Sequence, residues 1–207
     1  MIMTIDTSPA APRYHFSGHE TFPFRYSWIP KGIQEVGATF DPRVFRDTLG
    51  HYASGITIIG GLEEGENGIE PVGFTCQSFY SVSTEPPLVS FSVMTNSTTY
   101  PRIRETGKFS VNVLAHDQHT VSNQFARKGT DKWAGIEWTP TANGNPVIAD
   151  TLMWLDCDIW AEHEAGDHYI VIGKVNEMSP ASWHKSEPLL YFKGQYRHLR
   201  DLDTLAS

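Results

Sequence analysis

The stretch PVGFTCQSFYSVSTEPPLVSFSV, residues 71–93, decides the fold of this chain. Apolar and small residues alternate at both of its ends, as they do in β-strands, and Pro86 with Pro87 ends one strand and redirects the chain into the next. Its middle carries small polar side chains at Thr75, Gln77, Ser78, Ser81, Ser83 and Thr84. The stretch is therefore either an ordinary half-solvated hairpin or a place where polar groups converge on a ligand.

The rest of the chain is predicted to be mainly β. Strands are expected at GITIIGG, KFSVNVLA, TLMWLDCDIWAEHEA, DHYIVIGKVNEMS and PLLYFKGQYRHL, and LEEGENGIEP is expected to be a hairpin connection. Helices are expected after MTNSTTY, at DQHTVSNQFARKGT and at DPRVFRDTLGHYASG, the last with Asp41 as N-cap and Gly55 just beyond its end. Because strands outnumber helices without βαβ alternation, the pattern favours an antiparallel barrel with a few peripheral helices.

The chain is expected to form one main domain. Residues 41–200 would make up the barrel, residues 201–207 a C-terminal tail, and residues 1–40 an N-terminal extension that is partly mobile. Within the extension, residues 13–32 are rich in aromatic side chains and are expected to pack as an arm on something, for which a second subunit is one candidate.

Composition excludes several classes of function. The 207 residues carry a net charge of −8, which argues against nucleic-acid binding and against adhesion to an anionic membrane. No apolar run reaches the roughly 18 residues of a membrane span, and the N-terminus lacks the pattern of a signal peptide. Cys76 and Cys157 lie in separate apolar runs, so we expect buried free thiols in a reducing compartment. The expected location is cytoplasmic.

Common catalytic and binding motifs do not occur in the sequence. It contains no GxGxxG after a strand, no GxxxxGK[ST], no GxSxG and no HExxH. His116 and His119 share a helical face, but no nearby Cys or carboxylate completes a metal set, so no metal site is predicted.

Three further segments have a functional and a structural interpretation, and the residues alone leave both open. MTNSTTY, residues 94–100, offers hydroxyls and backbone N–H groups that suit a phosphate, or it caps the following helix. In NQFARKG, Gln124 and Arg127 either reach a ligand from a helix end or lie on a solvated face. His168 in GDH either faces a planar ligand from the rim of a strand or is a turn residue.

Six segments together resemble one family. In order they are FRDTLGHYASGITII, PVGFTCQSFYSVSTEPPLVSFSV, GKFSVNVLA, QFARK, GDHYIVIGKV and PLLYFKGQY, which span roughly residues 41–198. The sequence resembles the flavin reductase family, the NAD(P)H:flavin oxidoreductases that serve as reductase components of two-component flavin-dependent monooxygenases. The resemblance implies an FMN-binding split barrel of six antiparallel strands, a homodimer, FAD or FMN as the flavin, and NADH or NADPH as the hydride donor.

The same resemblance implies the site residues. The flavin would be bound by Thr75, Cys76, Gln77, Ser78, Val93, Met94, Thr95, Ser97, Thr98, Thr99, Gln124 and Phe125. NAD(P)H would be bound by His168, which orients the nicotinamide, and by Tyr191, Phe192, Lys193 and Gly194. The flavin phosphate would lie around Ser97 to Thr99. MTNSTTY departs from the family pattern there, because it carries no Lys or Arg before Arg102.

The implied reaction is hydride transfer from C4 of NAD(P)H to flavin N5, after which reduced flavin passes to a partner monooxygenase. The cofactors carry this chemistry, so no covalent catalytic residue is expected, and Cys76 is expected to pack rather than to act as a redox thiol. Two alternatives stay open: a reductase whose tightly bound flavin serves another acceptor, and a flavin-binding sensor or carrier without turnover.

Overall fold

A computed structural model of the chain describes residues 40–65, 68–183 and 187–199. In that part of the chain the helices are α1 (Pro42–Leu49), α2 (Tyr100–Thr106) and α3 (His119–Ala126). The strands are β1 (Ser54–Gly55), β2 (Thr57–Gly65), β3 (Gly68–Cys76), β4 (Tyr80–Thr84), β5 (Pro87–Met94), β6 (Lys108–Val113), β7 (Trp138–Pro140), β8 (Pro146–Ile148), β9 (Met153–Ala165), β10 (His168–Met178), β11 (Leu190–Phe192) and β12 (Gln195–Arg197).

One antiparallel sheet carries the fold. Its strand order is β3-β2-β6-β9-β10-β5-β4, and β1, β11 and β12 form a second, small sheet. The mainly β class is therefore confirmed. The large sheet has seven strands in the described residues, where six were expected, because β4 continues the hairpin of β5 as a separate edge strand.

The core lies on one face of this sheet. Phe91 is fully buried, and its ring meets those of Phe109, Tyr100 and Phe74 edge-on, with centroids 5.2, 6.0 and 6.1 Å away. Such pairs place the positive edge of one ring against the negative face of the next. Each buried ring or branched side chain stabilises the fold by roughly 1.5–3 kcal/mol.

A second apolar cluster lies between α3 and the small sheet. It contains Ile56, Ile58, Leu114, Phe125 and Leu189. Because β2 contributes Ile58 to this cluster and Ile59 to the main core, the strand is apolar on both faces. Burial of both faces explains why GITIIGG is a continuous apolar run rather than an alternating one.

Most predicted elements are confirmed, with different ends. α1 starts after the Asp41 cap, whose side chain accepts a hydrogen bond from the N–H of Arg43, but it ends at Leu49 rather than just before Gly55. The predicted connection 62–71 is mostly strand, because β2 runs to Gly65 and β3 resumes at Gly68.

Other predictions differ more. The last long strand is a hairpin of β11 and β12 that turns at Lys193 and Gly194, both of which have positive φ angles. The β7–β8 pair was not predicted from the sequence. The predicted N-terminal arm and C-terminal tail lie outside the described residues, apart from Phe40.

Both cysteines are buried and free. None of the helices among the described residues has the length and apolar content needed to cross a membrane. Nor does that part of the chain bring three or more His, Cys, Asp or Glu side chains together as a metal site.

Candidate functional site

A cavity of about 520 Å³, here called the sheet cavity, opens where β3 and β5 end and β10 begins. Its wall is formed by Phe74, Thr75, Cys76, Gln77, Ser78, Ser92, Val93, Met94, Asn96, Ser97, Thr98, Thr99, Phe125, Ala126, Lys128, Lys132 and His168. Ten of the twelve positions that the family resemblance gives to flavin belong to this set, and so does His168. The sequence segments 75–78, 93–99 and 125 thus meet around one space.

Two of the twelve positions lie outside the cavity wall. Thr95 is turned toward the β9–β10 hairpin, where its N–H and its hydroxyl both donate to the carbonyl of Asp167, at 2.9 and 3.2 Å. The Gln124 side chain donates to the carbonyls of Lys132 and Ala134, at 3.0 and 2.9 Å. Both residues therefore hold neighbouring loops in place, and their assignment to flavin stays a prediction.

Some of the hydroxyl groups that prompted the ligand hypothesis form hydrogen bonds within the protein. Thr75 Oγ1 donates to the carbonyl of Ser122 at 2.7 Å. Ser78 Oγ accepts from the N–H of Ser92 at 2.7 Å and donates to its carbonyl at 3.1 Å. These two side chains fix the cavity wall, so ligand contacts must come from other groups.

The turn between β5 and α2 supplies such groups. Ser97 Oγ accepts from the N–H of Tyr100 at 3.1 Å, so the capping interpretation holds for this serine. Within the described residues, no hydrogen bond occupies the backbone N–H of Asn96, Thr98 or Thr99. The N–H of Ser97 is bonded to the carbonyl of Met94, so the neighbouring amides of Thr98 and Thr99 are the ones that can form an anion-binding concavity. Capping and ligand binding are therefore compatible here.

Charged contacts hold α2, and with it this turn. Arg104 makes two hydrogen bonds to the carboxylate of Glu162, at 2.9 and 2.7 Å, and its guanidinium lies over the rings of Tyr100 and Tyr169. Tyr100 donates its hydroxyl proton to Glu162 at 2.5 Å. Burial, and then the Glu162 carboxylate, raise the pKa of Tyr100, so this hydroxyl stays protonated as a donor.

The positive charge missing from residues 94–100 comes from the loop after α3. Lys128 and Lys132 both line the sheet cavity, and Lys132 Nζ donates to the carbonyl of Gly73 at 3.2 Å. Burial, followed by repulsion from Arg102, lowers the pKa of Lys132. The sequence reasoning missed both lysines and named Arg127 instead, although Lys128 stands inside the quoted QFARK motif.

The floor of the sheet cavity is apolar and closely packed. Phe125 is fully buried, with its ring edge-on to Trp133 at 4.9 Å. A Cβ on Gly73 would lie 2.9 Å from the Phe125 ring, so glycine is needed here for close approach. Cys76 is buried beside this floor, and burial raises the pKa of its thiol, which favours packing over redox chemistry at neutral pH.

His168 begins β10 at the rim of the cavity. Its Nδ1 lies 2.7 Å from Asp167 Oδ1, and since a carboxylate accepts, Nδ1 carries the proton of this pair. The hydrogen bond and charge of His168 lower the pKa of Asp167. The imidazole is therefore oriented, with Nε2 left for another partner.

A second cavity of about 820 Å³, here called the helix cavity, lies between α1 and the β11–β12 turn. Its wall is formed by Arg46, Asp47, Leu49, Gly50, His51, Tyr52, Gln77, Tyr191, Lys193 and Gly194. Three of the four positions expected from YFKG are present, while Phe192 is not, because its ring packs edge-on against His51 at 6.4 Å. Gln77 lines both cavities, so the expected flavin and NAD(P)H positions adjoin.

Comparison with known proteins agrees with this geometry. Residues 49–200 match the family model described as flavin reductase like domain. The reductase subunit HsaB of a flavin-dependent monooxygenase from Mycobacterium tuberculosis is 42% identical over 161 residues, which are 78% of this chain and 84% of that protein.

Solved structures give the same result. Nitrilotriacetate monooxygenase component B from Mycobacterium thermoresistibile superposes with a TM-score of 0.72 at 40% identity, over 76% of this chain and 86% of that one. The NADH:FAD oxidoreductase SgcE6 of Streptomyces globisporus, in complex with NAD and FAD fragments, gives a TM-score of 0.70 at 31% identity, over 78% and 94% of the two chains. The chain belongs to the flavin reductase family.

Proposed function

We propose that this protein is an NAD(P)H:flavin oxidoreductase that supplies reduced flavin to a flavin-dependent monooxygenase. One observation carries the proposal: Gln77 lines both the sheet cavity and the helix cavity, so the positions expected for flavin and for the hydride donor share a wall. Hydride transfer requires the two reacting rings in contact, and adjoining cavities provide that proximity.

The sheet cavity fits a flavin by volume and by chemistry. Its 520 Å³ lies within the roughly 300–1,000 Å³ of small-molecule sites. Phe125 and Cys76 offer an apolar surface for a ring system, while Gln77, Asn96 and Thr98 line the wall as polar groups. Two lysines and the free amides of the turn after β5 suit a phosphate.

When bound, the flavin accepts a hydride from the nicotinamide of NAD(P)H. The residues of the chain then have positioning and electrostatic roles. Lys128 and Lys132 would hold the phosphate of a bound flavin, and the backbone of residues 75–78 would be available to the polar edge of its ring. His168, oriented by Asp167, has its Nε2 available for a hydrogen bond with the nicotinamide carboxamide. The wall of the helix cavity, where the hydride donor would bind, includes Tyr191, Lys193 and Gly194.

The finer architecture is also part of the proposal. We propose that the sheet closes as a split barrel, because Ser78, just after β3, is hydrogen-bonded to Ser92 of β5, close to the other end of the strand order. We propose a homodimer because Tyr80 and Val82 on edge strand β4, with Trp160 on β9, are exposed apolar side chains. The two free buried thiols support a cytoplasmic location.

The test is the consumption of NADH and of NADPH at 340 nm by the purified protein, with no addition, with FMN and with FAD. Oxidation that rises saturably with added flavin supports the proposal and identifies both preferences. A rate that ignores added flavin indicates a bound prosthetic flavin with another acceptor. Flavin binding without any oxidation overturns the reductase proposal and favours a sensor or carrier.

The partner and the assembly have their own measurements. Reduced flavin produced by this protein under anaerobic conditions should support substrate oxygenation once the monooxygenase component, its substrate and oxygen are added, which identifies the recipient. Sedimentation equilibrium of the full chain distinguishes a dimer from a monomer, and a monomer at micromolar concentration would contradict the proposed assembly.

A further inference from the structure

A small cavity of about 170 Å³, here called the tryptophan cavity, lies between the β7–β8 pair, the start of β9 and the end of β10. Its wall is formed by Thr139, Pro140, Thr141, Ala142, Val147, Trp154, Glu177 and Trp183. None of these residues lines the sheet cavity or the helix cavity, so the space is separate from the expected cofactor positions. It is smaller than the roughly 300–1,000 Å³ of most ligand sites and therefore suits a molecule of a few heavy atoms.

Two tryptophans give this cavity aromatic walls. The rings of Trp154 and Trp183 meet at 85°, with their centroids 6.1 Å apart. Trp154 is only 8% exposed, whereas Trp183 is 41% exposed and forms the outer wall. Two perpendicular rings that border one space offer it two π faces, and the negative face of an aromatic ring attracts a cation.

The indole N–H groups are not the groups that these rings offer. Trp183 Nε1 donates to the carbonyl of Thr151 at 3.0 Å, and Trp154 Nε1 is buried. Backbone bonds fix both residues, since the N–H of Trp183 donates to the carbonyl of Pro180 at 2.8 Å and the N–H of Ser179 to that of Trp154 at 3.0 Å. The aromatic walls are therefore in place before any ligand binds.

Negative charge adjoins the aromatic walls. The carboxylate of Glu177 accepts a weak hydrogen bond from the N–H of Ala142 at 3.3 Å, and no lysine, arginine or histidine of the described residues forms an ion pair with it. Opposite Glu177 on β9 stands Asp156, a second and fully buried acid. The eight lining residues include no basic side chain, so the local field favours a cation.

The donor set indicates which kind of cation fits. One carboxylate and two ring faces do not supply the several oxygen ligands that a calcium or magnesium ion requires. A primary ammonium would keep hydrogen-bond donors for which the rings provide no acceptor. A quaternary ammonium has no N–H group, and its methyl groups can pack directly on the ring faces.

We propose that the tryptophan cavity binds a small quaternary ammonium compound. Its positive centre lies against the rings of Trp154 and Trp183, with the carboxylate of Glu177 beside it. This inference does not rest on the proposed reductase function. Binding is measured without flavin and without hydride donor, so its result and that of the reductase assay are independent.

The test uses tetramethylammonium, choline and dimethylbutanol, the last being the uncharged carbon analogue of choline. The shift and line width of their methyl proton resonances, titrated with the purified full chain, give each Kd. The variants are Trp183→Leu, Trp183→Phe and Glu177→Gln. Trp160→Leu and Glu164→Gln are the matched controls, because both residues are exposed and neither lines the cavity.

We expect both cations to bind with a Kd of roughly 1–10 mM, with their methyl resonances shifted upfield by the ring faces. Dimethylbutanol should bind at least about tenfold more weakly, because it has the shape of choline without the charge. Trp183→Leu and Glu177→Gln should each weaken cation binding by about fivefold. Trp183→Phe keeps a ring face and should lose less, and both controls should stay within about twofold of wild type.

Three results would overturn the proposal. No saturable binding of either cation by the wild type would mean that the cavity takes no such ligand. Equal affinity for choline and dimethylbutanol would show an apolar pocket without cation recognition. Unchanged binding in both Trp183→Leu and Glu177→Gln would place the cation elsewhere. The urea midpoint of each variant is compared with that of wild type, and the exposed Glu177→Gln change still tests the site if Trp183→Leu does not fold.

Discussion

The imidazole of His168 and the carboxylate of Asp167, adjacent in the chain, are hydrogen-bonded at 2.7 Å, and the backbone carbonyl of the same aspartate accepts two bonds from Thr95. One residue thus connects the rim histidine to the turn that lines the sheet cavity. Orientation of His168 and placement of that turn are physically linked.

Replacing Asp167 by Asn should affect use of the hydride donor. The amide keeps the size of the side chain but removes the charge that orients Nδ1–H, so the KM for NAD(P)H should rise about fivefold. The FMN Kd should stay within twofold, because Thr95 bonds the backbone of residue 167. Glu164→Gln, an exposed acid on the preceding strand, is the control. An unchanged donor KM would argue that the hydrogen bond has no positioning role.

Lys128 should contribute to phosphate recognition. Lys128→Gln should weaken FMN binding by about tenfold through loss of a charge-assisted contact, and should leave riboflavin, which has no phosphate, nearly unaffected. Flavin fluorescence titration measures both Kd values. Arg127→Gln removes a neighbouring charge that does not line the cavity and should change neither. Equal losses for FMN and riboflavin would place Lys128 against the ring rather than the phosphate.

Lys132 should make flavin binding depend on pH. Its pKa is lowered by burial and by the charge of Arg102, and a bound phosphate would favour the protonated form. FMN affinity should therefore fall as pH rises through the lowered pKa, before an ordinary lysine would lose its proton. In Lys132→Arg the cation does not titrate, and the dependence should disappear. A wild-type FMN Kd that is constant across the alkaline range would contradict this.

Gly173 should be required for packing of the sheet. A Cβ at this position would lie 2.8 Å from Phe109 Cε1 and 3.2 Å from Cys157 Cβ in the core. Gly173→Ala should lower the free energy of unfolding by about 1–3 kcal/mol, read from the urea midpoint. At Gly55 an added Cβ meets nothing within 4 Å, so Gly55→Ala should change stability by less than about 0.5 kcal/mol. Equal midpoints for the two variants would contradict the packing argument.

The fold was largely predictable because its signals are local. Asp41 with Pro42 marked the start of α1, and the alternation in KFSVNV marked β6. The number of strands in the large sheet could not be predicted, because strand pairing depends on contacts between distant segments. Lys193 and Gly194 gave no clear turn signal in the sequence, because a lysine with positive φ is uncommon and its conformation depends on the bond to Gly50.

The candidate site was predictable as a set of segments but not as a set of contacts. Residue type alone made Thr75 and Gln124 equal candidates, yet both side chains are hydrogen-bonded within the protein. Lys132 lies four residues beyond the quoted QFARK motif, and the loop held by Gln124 brings it to the cavity. Arg46 lines the helix cavity only because α1 lies beside the β11–β12 turn, a contact that the sequence does not indicate.

The two hydrogen bonds of Ser78 limit which residues can replace it. Tyr80 pairs with Ser90, and the same register continued by two residues would place Ser78 opposite Ser92. At that position the side chain of Ser78, rather than its backbone, makes the hydrogen bonds to Ser92. One oxygen serves the N–H and the carbonyl of Ser92 together. A substitute must both donate and accept through an atom attached to Cβ, which leaves threonine and, weakly, cysteine among the twenty side chains. We therefore expect position 78 to be among the least tolerant of change in a saturation library.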